Sequence, residues 1–272
     1  MNSSQWTFIG AGNMASSLVG GLIASGVNGG DITVVDINTA ACQALETKFG
    51  VNSNDSVASI GSGASVVIAV KPHIVETVCR DLSALKPALV ISVAAGVRSE
   101  SMSGWVGTTT PVVRCMPNTP SLLGLGATAL FANALCTTEH KDQAQQLLST
   151  AGITQWVDTE AALDAVTALS GSGPAYFFYL IEHMANAAQS LGLDAEFARE
   201  FAIETAFGAA SMARAKEYPP NVLRENVTSK GGTTAAALAV FDEQGLDAIV
   251  KEAMQAAHDR ANELGEEFGT SS

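Results

Sequence analysis

Positive charge is what this 272-residue chain has least of: 14 Lys and Arg stand against 27 Asp and Glu, a formal net charge of −13 at pH 7. Such a surface is a poor match for nucleic-acid phosphates or an anionic membrane, so neither is expected as a partner. Bound phosphates are not excluded, because backbone N–H groups at a helix start hold anions whatever the net charge. Cysteine is scarce too. Cys42, Cys79, Cys115 and Cys136 form no CxxC pair, which points to reduced thiols rather than a disulfide framework or a zinc site. His73, His140, His183 and His258 stand apart from one another, so no metal site is expected. No Lys or Arg precedes Lys48, so the apolar stretch 6–27 lacks the positive start of a secretory signal. No apolar run is long enough to span a bilayer. A soluble, cytoplasmic protein is expected.

What the chain has in quantity is apolar residue, 47% against 15% charged, enough for a large core. The first part alternates between two patterns. "WTFIG" (6–10), "DITVVD" (31–36), "ASVVIAV" (64–70), "ALVISVAAG" (88–96), "PVVRCM" (111–116), "GATALFAN" (126–133) and "ITQWVD" (153–158) read as strands. Between them, 13–26, 39–50, 73–85 and 137–152 read as helices. Strand, helix, strand, helix implies a parallel sheet covered on both sides. From residue 160 onward strand signals fade. Helices are expected at 174–192, entered at Pro174 and closed by Gly192, and at 195–217, 233–245 and 246–268. Large stretches of the first two are apolar nearly all round, and the helical part is too short to cover them, so a second subunit is expected on that face. The expected organisation is α/β: an N-terminal Rossmann doubly wound parallel sheet over 1–160 and a C-terminal all-α dimerisation domain over 161–272.

Several short stretches carry chemistry. In "IGAGNMA", Gly10, Gly12 and Ala15 make a G-x-G-x-x-A pattern that follows a strand and opens a helix. That is the setting in which a turn, a close backbone approach and a helix N-terminus receive a dinucleotide pyrophosphate. Asp36, ending the second strand, is placed to accept from ribose hydroxyls and repel a 2′-phosphate; a solvated strand-end carboxylate is the competing reading. Lys71 and Pro72 end the strand in "AVKPH" at the edge where ligands bind, with a surface lysine and a helix start as the plainer alternatives. "SVAAGV" (92–97) ends the next strand in small residues that would admit a flat ring or pack tightly inside. "RCMPNTP" (114–120) presents Asn118 between prolines, as a ligand wall or a structural turn. "LSGSGPAY" (169–176) is a cleft lining or a hinge. In "VTSKGGTTAAAL" (227–238), two glycines and several hydroxyls precede a helix, which suits a carboxylate or a phosphate. Thr233 or Thr234 as a simple N-cap is the alternative.

"FIGAGNMA", "AVKPH", "VAAGV", "RCMPNTP", "ALSGSGPAY" and "VTSKGGTT" occur in this order across essentially the whole chain. Together they resemble the pyrroline-5-carboxylate reductase family. The resemblance implies NAD(P)H-dependent reduction of L-1-pyrroline-5-carboxylate to L-proline, and homodimers that often assemble further, up to decamers. It implies that Gly10, Gly12, Asn13, Met14, Ala69, Val70, Lys71 and Pro72 bind the cofactor, NADPH or NADH, with a contact from Asn226; Asp36 joins this set from the reading of the residues, not from the resemblance. Val227, Thr228, Ser229, Gly232, Thr233 and Thr234 would form the substrate wall, with Thr234 on the ring nitrogen as the catalytic group, and Glu217 falls near a family glutamate. There are two departures. Lys230 stands where the family usually has proline, and Asp36, Ile37, Asn38 stand where NADPH-preferring members often carry Ser-Asn-Arg. Two other functions remain open: a related Rossmann reductase of another imine or a β-hydroxyacid, and a non-catalytic dinucleotide-binding regulator. The β-hydroxyacid reading would expect a lysine on helix 174–192, which has none.

Overall fold

The computed structural model describes residues 6–269. Among these, eight strands form one sheet: β1 Trp6–Ile9, β2 Ile32–Val35, β3 Asn52–Asn54, β4 Ser65–Ile68, β5 Leu89–Ser92, β6 Val112–Met116, β7 Gly126–Ala132 and β8 Gly152–Trp156. The order is β3-β2-β1-β4-β5-β6-β7-β8. β1 and β4 are neighbours although β2 and β3 lie between them in sequence, so the winding reverses there, as in a Rossmann sheet. Helices α1 Asn13–Ala24, α2 Thr39–Phe49, α3 Val75–Ser83, α4 Ser99–Val106 and α5 Thr138–Ser149 lie between strands.

The period of two along each strand decides the layers. Phe8, Val34, Val67 and Ile91 pack with Leu18 and Leu22 of α1, Leu45 of α2 and Leu147 of α5. Their sequence neighbours Ile9, Val35, Ile68 and Val90 pack on the other face with Val78 and Leu82 of α3 and Met102 of α4. The central strands are therefore apolar throughout, because both faces are covered.

Up to residue 160, three elements depart from the sequence reading. β7 runs antiparallel to β6, so the sheet is not wholly parallel. The connection 117–125 is too short for the crossover that a parallel partner needs. β3 is a polar edge strand of three residues that no hydrophobic pattern announces; its pairing with β2 defines it. Helix α4 also went unread, since its polar sequence SESMSGWV has little amphipathic period.

The chain divides into two compact units, one running to Ser172 and taking back Ala257 onward, the other Gly173–Ala256. The expected boundary at 160/161 falls where α6 Ala162–Val166 begins. That helix and the π turn Thr167–Gly171 after it stay with the sheet, tied by Arg98 Nη1 donating to Asp164 Oδ2 at 2.8 Å and Asn118 Nδ2 to Ser170 O at 3.0 Å.

The second unit is helical: α7 Gly173–Ser190, α8 Ala195–Arg214, α9 Pro220–Asn226, α10 Thr233–Glu243 and the first part of α11 Leu246–Gly269. Asp194 caps α8, its Oδ1 accepting from the N–H groups of Glu196 and Phe197. Apart from Gly173, the buried residues of α7 and α8 are alanines, whereas Phe177, Phe178, Tyr179 and Phe207 stand more than 60% exposed on the single chain. Helices apolar all round leave such surface whenever one chain alone must cover them. No described helix is long and apolar enough to cross a membrane.

Candidate dinucleotide edge and hydroxyl-rich loop

β1 ends in a turn that only glycine serves well. Gly10 has φ +105°, and a Cβ there would lie 2.6 Å from the Ala69 carbonyl oxygen. Its N–H donates to Val35 O at 2.8 Å, locking the turn to the end of β2. Gly12 then caps α1 with extended backbone and no side-chain acceptor, so the first-turn N–H groups have no cap from that residue. Here a Cβ would meet nothing within 4 Å. The space over Gly12 is thus open from the protein's side, and a side chain would fill the approach to an uncapped helix start. That fits a pyrophosphate. Ala15 behind it is fully buried, as close helix–sheet packing requires.

Asp36 does more than either sequence reading supposed. Its Oδ2 accepts from Ala11 N–H at 2.7 Å and its Oδ1 from Asn38 N–H at 2.8 Å. The carboxylate joins the glycine turn to the end of β2 while staying half-buried. Beside it is a hollow of about 330 Å³ that Asp36, Glu46 and Asp55 help to line, and no Lys or Arg among the described residues lines it. Lys71 is exposed, and Pro72 opens the short 3₁₀ turn Pro72–Ile74 that leads into α3, so the helix-start reading of Pro72 holds. Asn13, Met14, Ala69, Val70, Lys71 and Pro72 follow the C-terminal ends of β1 and β4, beside Gly10 and Gly12.

Asn118 is a strut. Its Oδ1 accepts from Ala127 N–H at 2.9 Å while its Nδ2 donates to Ser170 O, so the structural-turn reading accounts for this amide. A buried charge network near the β5–α4 loop had no signal in the sequence. Glu160 accepts from Ser99 N–H and Ser99 Oγ, both at 2.6 Å, and from the Arg114 guanidinium at 2.5 Å. Burial pushes the Glu160 carboxyl up, but the hydrogen bonds from Ser99 and Arg114 and the Arg114 charge outweigh it and hold it below its ordinary value. Isolated Glu, Arg and Ser at such separations cannot be paired by inspection.

Asn226 and the residues expected at the substrate lie in the helical unit. Asn226 is the last residue of α9, and Val227 follows as its exposed C-cap. Thr228 Oγ1 is spent locally on Arg224 O at 2.6 Å. Ser229–Gly232 is a β-turn closed by Gly232 N–H to Ser229 O at 3.0 Å, with Gly231 at φ +72° in its third position, the signature of type II. Lys230 occupies the second position and is exposed. The N-cap of α10 is Gly232, again with no side-chain cap bond, so neither Thr233 nor Thr234 is the cap. They are the first two helical residues, Thr233 exposed and Thr234 half-buried. Both units therefore present a glycine-capped helix start.

A doubly wound sheet with a glycine turn before an uncapped helix start, followed by a helical unit, defines a dinucleotide-dependent oxidoreductase of the Rossmann class. The comparisons agree with the class and sharpen it. Residues 5–96 match the family described as NADP oxidoreductase coenzyme F420-dependent, and residues 160–264 match pyrroline-5-carboxylate reductase dimerisation. The chain is 46% identical over 272 residues to a Pseudomonas aeruginosa pyrroline-5-carboxylate reductase, covering 99% of this chain and 100% of that one. Among solved structures it is similar to a Coxiella burnetii pyrroline-5-carboxylate reductase, with TM-score 0.92, 40% identity and 97% and 99% of the two chains covered. It is also similar to the Plasmodium falciparum pyrroline carboxylate reductase with NADP bound, at TM-score 0.85, 26% identity and coverage of 97% and 99%. The chain belongs to the pyrroline-5-carboxylate reductase family.

Proposed function

We propose that the protein reduces L-1-pyrroline-5-carboxylate to L-proline, with Thr234 as the group that meets the imine nitrogen. The observation that carries the assignment of roles is the uncapped start of α10 at Gly232, directly after a hydroxyl-rich turn. The N–H groups of that first turn, with Ser229 and Thr233, would hold the substrate carboxylate, aided by the positive end of the helix dipole. Val227 and Thr228 complete the wall. The Gly10–Gly12 turn, with Asn13 and Met14, would hold the cofactor pyrophosphate, and Ala69, Val70, Lys71 and Pro72 would line the same edge; Asn226 is proposed as a further cofactor contact. A reduced nicotinamide dinucleotide, when bound, supplies the hydride that the imine carbon takes up. The nitrogen gains basicity as that carbon is reduced, and the Thr234 hydroxyl would hold it and relay to it a proton drawn from water. Such work is mainly positioning and charge placement, and no His/Asp dyad is required.

NADH is expected to serve at least as well as NADPH. Asp36, Glu46 and Asp55 lie around the hollow at the end of β2, where a 2′-phosphate would meet negative charge and no Arg or Lys. The protein is proposed to be cytoplasmic. It is also proposed to act as a homodimer or larger assembly, a reading supported by the exposed aromatic residues of α7 and α8.

Following dinucleotide absorbance with the imine as substrate tests the activity. Thr234→Ala is expected to lower kcat/KM by about 10²-fold, the cost of one good transition-state hydrogen bond. A variant with full kcat/KM removes Thr234 from the mechanism. A strong preference for NADPH would refute the role given to the acidic hollow.

A further inference from the structure

The β5–α4 loop, 93–98, leaves the same sheet edge as the glycine turn: Val93 N–H donates to Ile68 O at 3.0 Å, and Ala69 N–H to Ile9 O at 2.8 Å. Its residues before Arg98 are Val, Ala, Ala, Gly and Val, and its internal tie is a long one, Ala94 N–H to Ser92 Oγ at 3.3 Å. Ala94 and Val97 are held in the core cluster under α3 and α4, which leaves Gly96 between them to be held by a neighbour.

The C-terminal part of α11 supplies that hold. A Cβ on Gly96 would lie 3.2 Å from both Leu264 Cβ and Phe268 Cδ2, so the helix packs directly on the loop backbone. Phe268 continues into the core cluster under α3 and α4. Arg98 pins the contact. One guanidinium nitrogen donates to Asp164 Oδ2 at 2.8 Å, and the other donates to Asn262 Oδ1 of α11 at 3.3 Å. The Asp164 side chain is only 2% exposed, so it commits the guanidinium to this place. Gly265 makes the approach possible: a Cβ there would stand 2.8 Å from Arg98 Nε and 2.9 Å from Nη2. This glycine is helical and needs no special backbone angle; what requires it is the cation passing beneath the helix.

We propose that the end of α11 is a brace for the β5–α4 loop, and that Arg98, Asn262 and Gly265 are positioning residues for the nicotinamide end of the cofactor. The proposal rests on the reading of this sheet edge as the dinucleotide site. Helix α11 starts in the helical unit and ends in the sheet unit, so the element that braces the loop belongs to both. The brace acts through the backbone of 93–97: a displaced guanidinium lets α11 lift, and the loop loses its defined position. Misplacement by about 1 Å at a reacting centre costs up to roughly 10²-fold in rate.

The test uses Gly265→Ala and Arg98→Lys, both of which leave a cation facing Asp164, with Arg98→Met as the more disruptive third variant. Amide hydrogen exchange of the peptide covering Val93–Ser99 is measured on the whole protein, alongside kcat, KM for the imine and Kd for NADH. In Gly265→Ala the loop amides should exchange faster, kcat should fall about tenfold or more, and KM for the imine should stay within about twofold. Arg98→Lys should recover part of the kcat that Arg98→Met loses. Unchanged exchange in Gly265→Ala overturns the brace. Faster exchange with unchanged kcat and NADH affinity overturns the positioning role. Exchange needs no turnover, so a wild-type protein unable to reduce the imine would sink the proposed function separately.

Discussion

Replacing Lys230 by proline probes the hydroxyl-rich loop at the position where the family resemblance leads one to expect proline. The Ser229–Gly232 turn is type II by its closing hydrogen bond and by Gly231 at φ +72°. Its second position takes φ near −60°, the value a proline ring imposes, and Lys230 is not among the residues with positive φ. Lys230 N–H donates no backbone hydrogen bond among the described residues, so proline removes nothing there. The gain arises in the unfolded chain, which loses conformational freedom, and is worth about 0.4–1 kcal/mol. For a chain of this size that raises Tm by about 1–4 °C. Differential scanning calorimetry at fixed protein concentration, with Lys230→Ala as the control for lost charge, reads the effect. A Lys230→Pro protein that melts at or below the temperature of Lys230→Ala refutes the turn assignment. Kinetics of the same pair divide the roles. If the Lys230 ammonium helps to hold the substrate carboxylate, both variants raise KM for the imine; if only the rigidity of the loop matters, the alanine variant matches the wild type and the proline variant alone changes.

Gly10→Ala should cost on the order of 1–3 kcal/mol in stability from its backbone angle and its collision with Ala69, and should weaken NADH binding. Fluorescence titration that finds wild-type affinity would dissociate this turn from the pyrophosphate. The Glu160 carboxyl, held below its ordinary value, contributes stability that is fully present above its unfolded pKa of about 4.3 and is lost as pH falls through the folded value. Glu160→Gln should therefore flatten the acid limb of a stability–pH curve. At pH 7 it should cost about 3 kcal/mol, because Arg114 remains buried without its counter-charge. A urea-denaturation series showing the same acid limb in both proteins would exclude Glu160 as its source.

Much of the dinucleotide unit was legible because its signals are local. Apolar runs such as Val66–Ile68 mark buried strands, and Gly10, Gly12 and Ala15 carry their steric requirements in their identities. The long helices of the second unit were legible for the same reason, including an apolar surface in excess of what one chain can cover, whereas the short α9 was not. Antiparallel β7 was not, since direction is decided by the length of a connection and not by strand composition. Nor was β3, whose three polar residues become a strand through the partner they meet.

Residue types and spacing alone determined the class of fold, the glycine turn, the two anion-suited helix starts and the expectation of a partner subunit. Tertiary structure decided which polar groups were already engaged. It gave Asp36 two backbone donors, turned Asn118 into a strut, made Gly232 the cap that the threonines had been candidates for, and returned the end of α11 to the sheet unit through Arg98 and Gly265. The physical reason is range. Backbone sterics and amphipathic period act over a few residues and are written in order along the chain. A carboxylate or guanidinium taken partly or wholly out of water is satisfied by whatever the fold carries to it, here from as far as Arg98 to Asn262.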